Sequence, residues 1–205
     1  MVTGANRGIG LGIVEQFLKD MYVKHVFATT RDIARSKELT AITDSRLHII
    51  QMDVTNDESV KAALPKVEKI VGSAGLDILV NNSGVMDKYL ISGDVDRQKA
   101  LRTYDVNAVG ALIVTQVFLP LIQKSRHPKV IMISSGVGSI TNNLGSFAPF
   151  NVLVYAMSKS ALNQLMKTLA TDLKDHPIIF ASFCPGSVLT DMSDGLGQQT
   201  VEDVS

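Results

Sequence analysis

Tyr155 and Lys159, in "YAMSK", stand four residues apart, a spacing that puts both side chains on one face of a helix. A phenol with a pKa near ~10 is a poor acid–base group at neutral pH, and a neighbouring ammonium favours the phenolate and lowers that value. The pair is therefore a candidate proton-transfer unit. Just upstream, "VIMISSG" closes a β-branched run with Ser134 and Ser135. Side chains alternate along a strand, so only one of these hydroxyls can reach a given site; a turn-forming or capping serine is the plainer reading. Asn107 falls inside a helical stretch, where asparagine is a mediocre helix former, which makes it a candidate for another task.

A second constellation lies at the start of the chain. "TGANRGIG", residues 3–10, places Gly4, Gly8 and Gly10 in the pattern G-x-x-x-G-x-G. Gly4 lets a strand turn, Gly8 lets backbone N–H groups approach a pyrophosphate, and Gly10 lets the following helix start close to the sheet with its positive end toward the anion. A plain glycine turn has the same composition, but the strand at 24–30 completes a β-α-β unit and favours a dinucleotide site. That strand ends in "ATTRD", where an NAD-binding chain usually offers an acidic residue to the ribose. Arg31, with Arg7 in the loop, suits a 2′-phosphate instead, so NADP(H) is preferred over NAD(H). Two solvated surface arginines are the alternative, and Asp32 beside Arg31 leaves it open.

The elements that must position these residues alternate. "KHVFATT" (24–30), "LHIIQMDV" (47–54), "LDILVNN" (76–82), "KVIMIS" (129–134) and "IIFASFC" (178–184) read as strands. Helical spacing predicts helices over 10–20, over 56–72 capped by Asn56 and ended by Gly72 or Gly75, over 97–124, and over 153–175. Val106, Val109, Ile113 and Val117 are the expected buried seam of the third, with a bend or early stop at Pro120. Residues 136–152 read as a loop. The alternation predicts an α/β fold with a parallel sheet covered by helices.

With 205 residues and 45% hydrophobic composition, the chain is long enough for one globular domain. Twenty basic residues balance twenty acidic ones, so charge gives no reason to expect nucleic acid or an anionic membrane as partner. The apolar runs are interrupted before the roughly 20 residues a membrane span needs, and a cytoplasmic protein is expected. The lone cysteine, Cys184, reads as a small buried apolar residue. Histidines at 25, 48, 127 and 176 show no ligand spacing, and no metal site is expected.

"TGANRGIG", "NNSG" (81–84), "DVNAVG" (105–110), "ISSG", "YAMSK" and "PGSVLTDM" (185–192) follow one another in an order that resembles the short-chain dehydrogenase/reductase family, over residues 3–192. Within it the chain is most similar to the sniffer-type carbonyl reductases. The resemblance implies a Rossmann-type, doubly wound, seven-stranded parallel sheet and NADPH-dependent hydride transfer to the carbonyl of a small ketone, aldehyde or quinone. It implies Tyr155 as proton donor, Ser135 on the substrate oxygen, Lys159 on the nicotinamide ribose, and backbone near Asn107 holding a water. It also implies that Gly4, Asn6, Arg7, Gly8, Ile9, Gly10 and Arg31 bind the cofactor. Asp53 and Val54 would meet the adenine, Asn82 and Gly84 would wall the cleft, and Pro185, Gly186, Val188 and Thr190 would cradle the nicotinamide side. Family members usually pair through long helices, so a homodimer is expected.

Several residues depart from the family pattern. Ser83 replaces an alanine, Ser187 stands where such reductases carry tryptophan, and the segment between Ser135 and Tyr155 is unusually long. A central first strand typically needs about 5 or 6 residues, and Met1–Thr3 supply three. The chain also stops near where the family's substrate-covering segment begins. The expectation is a fold truncated at both ends, and an alternative function as a non-catalytic NADP(H)-binding or interaction module.

Overall fold

A computed structural model describes residues 1–141, 151–190, 192 and 199–204. Five strands are parallel: β1 (Val26–Thr30), β2 (Leu47–Gln51), β3 (Ile78–Asn81), β4 (Lys129–Ile133) and β5 (Ile179–Phe183). Val2 joins them into one order, β2-β1-Val2-β3-β4-β5, by bridging Ala28 on one side and Val80 on the other. Its N–H donates to Phe27 O at 2.8 Å and its carbonyl accepts from Thr29 N at 2.9 Å, while Thr3 N donates to Val80 O at 3.0 Å. The amino group of Met1 donates to Ile78 O. Three residues thus hydrogen-bond to both flanking strands. The described residues form these five strands and the Val2 bridge, fewer than the seven that the resemblance implies.

Helices cover both faces, as a parallel sheet requires. On one side α3 (Asp57–Val71), α5 (Gly110–Lys124) and α6 (Leu153–Asp172) bury Val60, Val67, Val114, Phe118 and Leu162 against Phe27, Leu79 and Met132. On the other, α1 (Gly8–Lys19) and the short α2 (Lys37–Ala41) pack Leu11, Val14 and Leu39 on Val2, Ala28 and Val80. Arg46 closes the end of α1 by donating to the carbonyls of Leu18, Asp20 and Val23, while Asp44 grips its guanidinium. Beyond α1 this face opens into an apolar groove of about 570 Å³ under Ile9, Ile13 and Phe17, floored by Ile78, Ile131 and Phe183.

The run 97–124 differs from its expected form. It consists of α4 (Arg97–Tyr104), a π-turn over Asp105–Val109, and α5. A π-turn takes one residue more than an α-turn, so the face slips by about 100°. Val109 is consequently exposed, whereas Asn107, Ala111, Val114 and Phe118 turn inward. Pro120 does not end the helix: the residue whose carbonyl it leaves without a donor, Gln116, is exposed, so water can serve it. The run is long and apolar enough to cross a membrane by composition, but its apolar side is spent on the sheet.

Candidate active site

The glycine loop leaves the sheet beside Val2, where the chain passes to β1 on one side and β3 on the other, the crevice at which open α/β sheets bind ligands. Gly4 (φ 62°) and Gly8 (φ 54°) occupy left-handed backbone that side chains disfavour. Gly10 is required by space: a methyl group there would stand 2.4 Å from Asn82 Nδ2 and 2.6 Å from Gly4 O. The Asn82 amide donates to the carbonyls of Thr3 and Gly4 at 2.8 and 3.1 Å, and Thr3 Oγ1 accepts from Asn82 N and Ser83 N. Ser83, the departure from alanine, packs on Gly4. Helix α1 starts at Gly8 with no side-chain cap, leaving its first amides to face an anion. Thr190 comes from the far end of the chain to stand over Gly8, 3.3 Å from where its methyl would be.

Asn6 and Arg7 line a hollow of about 250 Å³ with Arg35, Lys37 and Glu38. Arg31 is exposed, its carbonyl accepting from Gln51, and it is not part of that lining. The turn between them is tied by Thr30 and Ser36, whose hydroxyls meet at 2.9 Å and whose Ser36 Oγ donates to Asp32 O. Arg35 and Lys37, which the sequence did not single out, reach this hollow from the turn into α2 and its first residue. Asp53 folds back to accept from Thr55 N and Oγ1, and Val54 packs against Gly110.

The second constellation gathers at the ends of β3, β4 and β5. The Ser135 side chain faces Tyr155 and pulls the phenol pKa down, and Ser134 turns the other way onto Asn163 at 2.7 Å, the opposition expected of neighbours on a strand. Lys159, 3% exposed, donates to Ile133 O at 2.8 Å with its ammonium 5.5 Å from the centre of the Tyr155 ring. Asn107 lies in the π-turn. Its Oδ1 accepts from Val85 N at 2.8 Å and its Nδ2 donates to Val85 O and Ser158 Oγ, each at 2.9 Å. Ser158 Oγ in turn donates to Tyr155 O at 2.7 Å. Gly84 lies between these groups, and a methyl there would be 3.5 Å from Asn107 Oδ1 and 3.7 Å from Lys159 Nζ.

Burial dominates the electrostatics. It pushes the Tyr155 phenol up to about 12, against the downward pull of its Ser135 hydrogen bond, and it brings Lys159 down to about 8. The expected lowering of the phenol by Lys159 is therefore not what this arrangement shows. The ammonium spends its hydrogen bond on Ile133 O and is itself desolvated.

Gly138, Ser160 and Asn163 went unread in the sequence. Gly138 lets the turn after Ser135 sit against α6, since a methyl there would be 2.9 Å from Lys159 Cβ, and Ser160 and Asn163 both donate to its carbonyl. Cys184 is exposed, contrary to the expected buried position; its Sγ accepts from Gly136 N at 3.1 Å, and it acts electrostatically on Tyr155 and Lys159. Pro185 follows it, Gly186 turns at φ 81°, and Val188 is buried through a bridge to Gln199. Most of the expected loop 136–152 lies outside the described residues. Among the described residues no three His, Cys, Asp or Glu side chains come together, but His25 and His48 do meet, which their spacing did not reveal.

The parallel sheet covered by helices, with a glycine loop at its switch point, is a Rossmann-type fold. The sequence matches the short chain dehydrogenase family model over residues 1–201. It is 34% identical over 203 residues to an uncharacterised oxidoreductase of Schizosaccharomyces pombe, covering 98% of this chain and 78% of that protein. Among solved structures, Sniffer of Caenorhabditis elegans is 44% identical with a TM-score of 0.87, over 90% of this chain and 82% of that one. The NADPH-bound carbonyl reductase from chicken fatty liver is 33% identical with a TM-score of 0.92, over 99% and 82%. The chain belongs to the short-chain dehydrogenase/reductase family of oxidoreductases.

Proposed function

We propose that this chain is an NADPH-dependent reductase of small ketones, aldehydes or quinones. The observation that carries the reading is the joining of Ser135, Tyr155, Lys159 and Asn107 into one cluster at the strand ends, on the side where the glycine loop opens. The loop fits a dinucleotide: Gly8 keeps a cradle clear that a side chain would fill, the first turn of α1 presents uncapped amides, and the hollow with Arg7, Arg35 and Lys37 suits a 2′-phosphate. NADPH, when bound, supplies the hydride.

The chain's own residues do the rest. The Tyr155 hydroxyl, protonated across the neutral range, gives its proton to the carbonyl oxygen, and Ser135 holds that oxygen by a hydrogen bond. Lys159, with its ammonium over the face of the Tyr155 ring, is the residue that would hold the nicotinamide ribose. Asn107 fixes the Val85 backbone and, through Ser158, the turn of α6 that carries Tyr155. The π-turn around it leaves backbone groups outside the α-helical pattern, which supports the reading that a water is held there. Exposed Leu101, Val109 and Leu112 on one helical run support pairing of two copies, which light scattering checks.

Calorimetry with NADPH and NADH, followed by absorbance assays with a panel of small carbonyls, tests the reading. It predicts tighter NADPH binding and steady oxidation by part of the panel. Tight binding with no turnover would leave a binding module in its place.

A further inference from the structure

At the end of the sheet remote from the glycine loop, two histidines far apart in sequence meet. His25 immediately precedes β1, and His48 is the second residue of the neighbouring β2. Phe27 is paired with His48 across the two strands, so His25, two residues before Phe27, shares their face. The His48 ring stacks on Phe27 with centroids 5.1 Å apart and planes at 27°, and Phe27 is itself fully buried. One ring is thus held in place while the other, His25, is exposed and free to adjust.

Nδ1 of His25 lies 3.1 Å from Nε2 of His48. Only a shared proton makes that contact favourable, because two lone pairs otherwise face each other. A divalent ion can take the proton's place: two metal–nitrogen bonds of about 2.0–2.1 Å at a tetrahedral angle set the nitrogens about 3.3 Å apart. A small rotation of the exposed His25 ring brings both lone pairs onto one point. The neutral imidazole is the ligating form, so binding the ion releases the shared proton. Among the described residues no third His, Cys, Asp or Glu joins them, which leaves the remaining positions to water. Imidazole nitrogens select zinc, nickel and copper over magnesium and calcium.

We propose that His25 and His48 form an open two-histidine site for a zinc-class divalent cation. Strands rise about 3.3 Å per residue, so the five residues from His25 to Thr30 put this site roughly 16 Å from the cofactor end of β1. It does not share a residue with the Tyr155 cluster.

The test is titration of the full chain, free of any affinity tag, with ZnCl2 and with NiCl2 at pH 7.5 by calorimetry, alongside melting curves. His25→Ala removes one ligand, and His48→Phe removes the other while keeping a ring on Phe27. The wild-type chain should bind one equivalent of either metal and melt at higher temperature with it, and magnesium should do neither. Each variant should bind about tenfold more weakly or worse, lose the metal-dependent rise in Tm, and retain its fold by circular dichroism and its NADPH binding. Absence of binding by the wild-type chain overturns the site. So does equal binding by either folded variant, which would locate the ion elsewhere.

Discussion

Replacing Gly10 by alanine isolates the packing that holds the glycine loop to the sheet. The added methyl would lie 2.4 Å from Asn82 Nδ2, 2.6 Å from Gly4 O and 3.1 Å from Ala5 Cα, and two of these neighbours are backbone. Overpacking of this kind costs about 1–3 kcal/mol. Asn82 must also move, and its bonds to the carbonyls of Thr3 and Gly4 contribute about 1 kcal/mol each. The sum is about 4 kcal/mol, a large part of the roughly 5–15 kcal/mol that separates folded from unfolded domains. For a chain of this size it corresponds to a fall in Tm of roughly 8–16 °C. Gly8→Ala is the control: among the described residues its methyl meets only the Thr190 side chain, at 3.3 Å and beyond, and the strain of its positive φ costs about 1–2 kcal/mol. Thermal melts of both variants decide the matter. A Gly10→Ala protein melting with the wild type would refute the packing described here.

Other residues give separate tests. Lys159 is held down to about 8 from an ordinary 10.5, so its buried charge opposes folding fully below pH 8, and the opposition fades as pH rises toward 10.5. Urea unfolding of wild type and Lys159→Met at pH 7 and 9.5 should show the wild type gaining about 2 kcal/mol on the variant at the higher pH; no gain would mean that Lys159 is not desolvated. Asn107→Ala strands Val85 N–H and breaks bonds to Val85 O and Ser158, costing about 3 kcal/mol by the same assay, and a loss under about 1 kcal/mol would count against the network. Arg35→Ala should weaken NADPH about tenfold or more with little effect on NADH by calorimetry, and Arg31→Ala should do less; the reverse ranking would return the phosphate to Arg31.

The five strands and four long helices were legible because their apolar residues repeat at periods of two and 3.6, and Asn56 caps α3 by accepting from Ser59 N as its position suggests. Tyr155 and Lys159 were legible as a pair from their spacing, whereas the choice of Ser135 over Ser134 came from the family resemblance, since strand parity says only that the two part. What escaped depends on chain brought from elsewhere. The π-turn at Asp105–Val109 breaks the assumption of one helical period, which misplaced Val109. The five-residue α2 is too short for periodicity to reveal, and with it went Arg35 and Lys37. The meeting of His25 with His48 follows from strand register alone. The balance between burial and charge at Tyr155 depends on how much of the protein surrounds the hydroxyl, and that surrounding comes from several strand ends.

The most direct measurement compares Tyr155→Phe with the wild type on the best carbonyl of the panel, with NADPH affinity measured in parallel. If Tyr155 gives the proton, kcat should fall by roughly 10²–10⁴-fold, since the change removes one oxygen, while NADPH affinity stays near the wild-type value. Equal turnover by the two proteins would contradict the account.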